Sequence, residues 1–143
     1  MSRIHTLGIH EQAAWVRSRY PGFRCEIESG LLVCRGRLQP MPMCVSYAVE
    51  VHYRTGTWPK TFVPGGQLAP LEAGGKIPHS YSDIQPCLFY PSRQAWRSDM
   101  KLADTVIPWL SVWLTFYEMW RATGEWYGGG ISHGAVQEIE AAA

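Results

Sequence analysis

The sequence predicts an α+β domain in which helices pack against one antiparallel sheet. Apolar residues recur at helical spacing near both ends of the chain, apolar and polar residues alternate between positions 23 and 63, and periodicity is lost from 64 to about 100. The predicted order is an N-terminal helix, a four-stranded antiparallel meander, a long active-site loop and a C-terminal helix. A length of 143 residues suits one core, so residues 1–143 are interpreted as a single domain.

The first helix and the strands follow from local pattern. Four apolar residues lie at i, i+4, i+7 and i+11 of the first helix: Ile9, Ala13, Val16 and Tyr20. Tyr20-Pro21-Gly22 should end that helix. Alternation then predicts strands over 23–28, 31–38, 45–53 and 60–63. In the third strand, one face should carry Val45, Tyr47, Val49, Val51 and Tyr53.

A second helix is predicted after residue 104. Pro108 fits its first turn, Asp104 or Thr105 could cap it, and Thr123-Gly124 should end it. Its apolar stripe is aromatic and consists of Trp109, Trp113, Phe116, Tyr117 and Trp120. We expect this stripe to be buried against the sheet or the loop.

Composition disfavours several classes of protein. The net charge is +1 with scattered Lys and Arg, so no basic stripe indicates nucleic-acid binding. No apolar run approaches the roughly 20 residues of a membrane span. The segment Met1–His5 has no apolar signal region, and none of the four cysteines forms a C-x-x-C pair. We therefore expect a cytoplasmic protein with reduced thiols and no metal site.

The long loop holds a histidine and a cysteine, His79 and Cys87, which are 87 − 79 = 8 positions apart. A loop cysteine with a nearby histidine can serve acyl transfer, because thiolate is the attacking form and a thioester is a labile carrier. The residues by themselves leave a second interpretation open, in which Cys87 is a small buried apolar residue, His79 a loop residue and Tyr81 a packing residue.

The order of elements and several segments resemble the ubiquitin-conjugating fold. The third and fourth strands, with Trp58-Pro59 and Val63-Pro64, are similar to those of that family, and His79 and Cys87-Leu88 match its loop histidine and active-site cysteine. The C-terminal half resembles a bacterial branch found in cyclic-oligonucleotide anti-phage operons. The segments concerned are Leu102-Ala103-Asp104-Thr105, Ile107-Pro108-Trp109, Phe116-Tyr117-Glu118 and Thr123-Gly124-Glu125-Trp126. The resemblance covers roughly residues 10 to 133.

This resemblance implies a ubiquitin-conjugating-like cysteine acyltransferase without a cofactor. Cys87 would hold the C-terminus of a partner protein, a cGAS-like nucleotidyltransferase, as a thioester and pass it to a lysine of an acceptor protein. The family's His-Pro-Asn is replaced by His79-Ser80-Tyr81. Tyr81 or a backbone amide would therefore stabilise the oxyanion in place of the asparagine. A carrier cysteine must be reached by two proteins, so we expect Cys87 to be partly exposed, and more reactive than Cys25, Cys34 and Cys44.

Two other functions remain open from the sequence. The first is a binding module that has the same fold and no catalytic activity. The second is a thiol-dependent hydrolase that uses Cys87 with His79 or His133, although no third orienting residue can be identified.

Overall fold

A computed structural model describes residues 5–89 and 96–128, and it has the predicted α+β architecture. The elements are α1 (Ile9–Arg19), β1 (Arg24–Glu28), β2 (Leu31–Leu38), β3 (Tyr47–Tyr53), β4 (Lys60–Phe62), β5 (Ser80–Ser82), β6 (Gln85–Pro86) and α2 (Val106–Thr123). Among these described residues, no helix is long and apolar enough to cross a membrane. His133 and the segments 90–95 and 129–143 lie outside the described residues.

The sheet is the predicted antiparallel meander. Strands β1 to β4 lie side by side in chain order, with Cys25 opposite Cys34 and Val51 opposite both Cys34 and Thr61. Burial alternates along β3, and its buried residues are Tyr47, Val49, Val51 and Tyr53. The period-two pattern of the sequence therefore correctly assigned the inner face of this strand.

The start of the third strand differs from the prediction. Val45 is 59% exposed and precedes β3, which begins at Tyr47, and Cys44 also lies in the connection rather than on a strand. The cause is a contact with α2, since the Val45 amide donates to Glu118 Oε2 at 3.0 Å instead of joining the strand ladder. The hydroxyl of Tyr47 donates to the same carboxylate oxygen at 2.9 Å.

Both helices cover the inner face of the sheet. Helix α1 packs on β1 and β2. Helix α2 buries Val106, Ile107, Leu110, Trp113, Leu114, Tyr117 and Trp120. The expected burial of Trp109 and Phe116 is wrong, because both are only half-buried. At about 100° per residue these two positions lie at the margin of the buried stripe, whose centre is near Leu110 and Tyr117.

The ends of α2 follow the prediction in position but not in every contact. Thr105 directly precedes the helix, yet its hydroxyl donates to Lys101 O at 2.7 Å and provides no side-chain cap. Gly124 ends the helix in a left-handed conformation with φ of +83°, which a glycine adopts without a steric penalty.

A buried glutamine links the two helices. Gln12 is fully buried in α1, its Nε2 donates to Met100 O at 2.7 Å, and its Oε1 accepts from the Leu102 amide at 2.9 Å. The side chain therefore satisfies two backbone groups of the segment that leads into α2. This contact fixes where the chain enters the helix that carries the aromatic stripe.

We predict that Gln12→Ala lowers the free energy of unfolding by about 2–4 kcal/mol, because two buried backbone groups lose their partner. Urea denaturation monitored by tryptophan fluorescence measures the change. Gln39→Ala is the control, since Gln39 is exposed while its amide also bonds backbone oxygens, those of Pro42 and Cys44. An equal decrease in the free energy of unfolding of the two variants would show that burial of the Gln12 amide does not add to its stabilising effect.

Candidate active site

The segment predicted to lack regular structure contains a β-hairpin. Strands β5 and β6 pair antiparallel, with Ser82 opposite Gln85 across an exposed turn. The two arms bring His79 and Cys87 together, and the Cys87 amide donates to His79 O at 2.8 Å. His79 and Cys87 are eight positions apart because the chain between them forms the two arms and the turn of the hairpin.

The hairpin is attached to the edge of the sheet. The Val63 amide, just after β4, donates to Ile84 O at 2.7 Å. The hydroxyl of Thr61, a buried residue of β4, lies 3.3 Å from Pro86 O and donates to it. The first bond holds the turn of the hairpin beside the sheet, and the second holds Pro86, the residue before Cys87.

His79 connects the hairpin to helix α2. Its backbone has φ of +52°, a left-handed conformation that is unfavourable for a residue with a side chain. Its carbonyl oxygen accepts a second hydrogen bond, from Trp113 Nε1 at 2.9 Å. The imidazole is buried and packs against the ring of Trp126, with 5.0 Å between the ring centroids. These contacts hold the His79 end of the hairpin against helix α2 and Trp126.

The expected exposure of Cys87 is wrong. The residue is 0% exposed, and its thiol donates to Phe89 O at 3.2 Å. Cys25 and Cys44 are slightly more exposed than Cys87, and Cys34 is equally buried, while the predicted order of reactivity stays a prediction. The physical cause is the apolar run Cys87-Leu88-Phe89, in which all three residues are buried.

Tyr81 lies beside the thiol, as an oxyanion donor would have to. In the hairpin, Ser80 pairs with Pro86 and Ser82 with Gln85, so Tyr81 is the extra residue of a bulge. Burial of its hydroxyl, followed by the hydrogen bond to the Cys87 side chain and the charge of that group, raises the pKa of Tyr81 to about 12. At neutral pH the hydroxyl is therefore protonated and can donate.

The two side chains differ in exposure, since Cys87 is fully buried and Tyr81 is 57% exposed. In the described conformation the tyrosine ring is therefore accessible to solvent, whereas the thiol is not.

The site offers a nucleophile and a hydrogen-bond donor in contact. Of the expected oxyanion donors, which were Tyr81 or a backbone amide, the Tyr81 hydroxyl interacts with the Cys87 side chain, whereas the amide of Cys87 itself is already bonded to His79 O. Within residues 5–89 and 96–128, no group of three or more His, Cys, Asp and Glu side chains could share a metal ion.

Sequence reasoning missed two supporting contacts. The indole of Trp113 was predicted only as a core residue, and Trp126 was assigned no contact with the site. Trp113 and His79 are 34 positions apart, and a side-chain bond to a distant backbone oxygen leaves no pattern in a sequence. The tryptophans themselves were the only available signal, because a buried indole usually needs an acceptor.

Comparison with protein families gives one match. The model of the E2-CBASS family, described as type II CBASS E2 protein, matches residues 12–134, which is well over half of the chain. The match includes the hairpin with Cys87 and extends through helix α2. No curated protein matches the chain.

We predict that iodoacetamide labels Cys87 slowly in the native protein, because the thiol must first be uncovered by local opening. Tyr81→Ala removes the side chain that hydrogen-bonds Cys87, so the rate at Cys87 should rise about tenfold, the equivalent of roughly 1.4 kcal/mol. Tyr81→Phe keeps the ring and isolates the contribution of the hydroxyl. Mass spectrometry of peptides gives the rate at each cysteine.

Cys44 is the internal control, since its neighbours are Met41 and Glu118 rather than the hairpin. Its labelling rate should be the same in all three proteins. Labelling of wild-type Cys87 at the rate of the urea-unfolded chain would contradict the buried position of the thiol.

Proposed function

Because the chain belongs to the family of type II CBASS E2 proteins, we propose that it transfers a protein acyl group through a thioester on Cys87. Membership makes it an E2-like protein of CBASS anti-phage signalling. The proposed carried group is the C-terminus of a cGAS-like nucleotidyltransferase, and the proposed acceptor is an amine, such as a lysine, of a target protein. The chain's own residues would supply the chemistry, without a cofactor.

The observation that carries this proposal is the hairpin, which joins the Cys87 amide to His79 O at 2.8 Å and places Tyr81 at a bulge, where its hydroxyl interacts with the Cys87 side chain. Acyl transfer needs a nucleophile and a donor for the negative charge that develops on the carbonyl oxygen. A protonated tyrosine beside a cysteine supports both requirements. The donor would take the place of the asparagine that the family resemblance leads one to expect.

The proposed reaction has two transfers. In the first, the thiolate of Cys87 attacks the carbonyl carbon of an activated C-terminal thioester, a new C–S bond forms, and the thiolate of the activating enzyme leaves. In the second, the acceptor amine attacks the same carbon, the bond to Cys87 breaks, and the amine proton is lost to solvent or to a base on the target. Tyr81 would donate to the oxyanion in both steps.

Access to Cys87 requires an open state. The thiol is fully buried and donates to Phe89 O in the described conformation. Separation of the short hairpin strands would expose it. A two-residue strand such as β6 offers few hydrogen bonds against such opening.

The complete burial of Cys87 favours one alternative, a binding module that keeps the fold without transferring acyl groups. The proposed transferase and this module differ in one observable, a covalent adduct on Cys87. A thiol-dependent hydrolase, the other alternative, would release the free carboxylate of the partner instead of retaining it.

We predict that incubation with the partner protein, its activating enzyme and ATP produces an adduct that thiol reductant removes. Cys87→Ala should abolish this adduct, and Cys87→Ser should replace it with an oxyester that survives reductant. Tyr81→Phe should slow single-turnover formation roughly 100-fold, which is the usual effect of losing one oxyanion donor. His79→Ala should reduce transfer without abolishing it, because the thiol remains in place. Denaturing gels with and without reductant, and intact mass, measure all four variants.

Cys44→Ala is the matched control, since it shortens a buried thiol away from the hairpin, and it should retain wild-type transfer. Full conjugation by Cys87→Ala would exclude Cys87 as the carrier. A wild-type protein that binds the partner without an adduct would favour the binding module, and release of free partner carboxylate would favour the hydrolase.

A further inference from the structure

We propose that Trp113 is a positioning residue, which acts on Cys87 through the backbone of His79. This inference rests on the proposed function, since it concerns the same thiol. Trp113 lies on helix α2 and is buried, and its Nε1 donates to His79 O at 2.9 Å. The same oxygen accepts from the Cys87 amide at 2.8 Å. One carbonyl therefore joins helix α2 to the backbone of the nucleophile.

The indole is itself held in place by two aromatic rings. It stacks on Tyr117, with centroids 5.7 Å apart and an interplanar angle of 5°, and its centroid lies 5.4 Å from that of Trp126. The hydroxyl of Tyr117 accepts a hydrogen bond from the Ala69 amide at 2.8 Å. A buried side chain packed against two rings has little freedom to turn, so its N–H has a fixed direction.

The hydrogen bond from Trp113 constrains the backbone of His79. His79 has a left-handed conformation, which is retained only where the surroundings over-determine it. The two donors on its oxygen, together with packing of its ring on Trp126, supply that constraint. Without the indole N–H, the His79 peptide could rotate, and the Cys87 amide would lose a well-oriented acceptor.

Movement of the Cys87 backbone would separate the thiol from Tyr81. The contact between these side chains depends on the pairing of the hairpin arms, and the bond from the Cys87 amide to His79 O closes that pairing. A misplacement on the order of 1 Å at a reacting group can reduce a rate by about 100-fold. Trp113 thus sets the geometry of the nucleophile without touching the reacting atoms.

The test is Trp113→Phe, which keeps an aromatic ring against Tyr117 and Trp126 and removes the N–H donor. Hydrogen exchange measured by NMR should show roughly tenfold faster exchange of the Cys87 amide, the effect of losing one hydrogen bond. Exchange of the Val51 amide, in the centre of the sheet, reports global unfolding and should change less. The single-turnover rate of thioester formation should also fall about tenfold or more at saturating partner.

Trp120→Phe is the control for loss of a buried indole from the same helix. Trp120 is buried and packs on Tyr117, with 6.1 Å between centroids, so its replacement should leave exchange at Cys87 and the transfer rate at wild-type values. Both variants are compared after urea denaturation has established that they are folded.

Unchanged exchange at Cys87 in Trp113→Phe would overturn the inference, as would an equal increase at Cys87 and Val51, which would indicate general destabilisation only. A wild-type protein that forms no thioester would overturn the proposed function instead. In that case the exchange measurement still decides whether Trp113 holds the backbone of Cys87.

Discussion

The candidate site depends on one acceptor, the carbonyl oxygen of His79. It receives the Cys87 amide from the other arm of the hairpin and the Trp113 indole from helix α2. A carbonyl has two lone pairs, so both bonds can be satisfied at once. Since the oxygen belongs to a residue with a left-handed backbone, its direction differs from that of an extended strand. This geometry allows a short hairpin to be fastened to a helix that lies far away in the sequence.

Contacts with aromatic residues of helix α2 hold the segment before the hairpin, which has no regular secondary structure. Residues 64–79 contain neither helix nor strand, yet Tyr117 bonds to Ala69 and Arg121 donates to Pro70 O at 2.7 Å. Helix α2 therefore holds the segment that precedes the hairpin as well as the hairpin itself. These contacts explain part of the high content of tryptophan and tyrosine, because the rings contribute both apolar packing and hydrogen bonds from their polar atoms.

Burial protects the thiol. A cysteine that is fully buried and donates to Phe89 O is kept from small oxidants and alkylating agents while the hairpin is closed. The proposed acyl transfer would need a local conformational change that exposes the sulfur, and the shortness of β6 favours such a change because few hydrogen bonds oppose it.

The sequence by itself determined the sheet, both helices and the identity of the cysteine and tyrosine now found in contact. Those features have local signatures, because alternation assigns the faces of β3 and Gly124 marks the end of α2. Tertiary structure decided the burial of Cys87 and the roles of Gln12 and Trp113. The roles of Gln12 and Trp113 depend on bonds between side chains and backbone groups 34 to 90 positions away, which have no periodicity to detect. Exposure in particular is a property of everything packed around a residue, and local pattern carries no record of it.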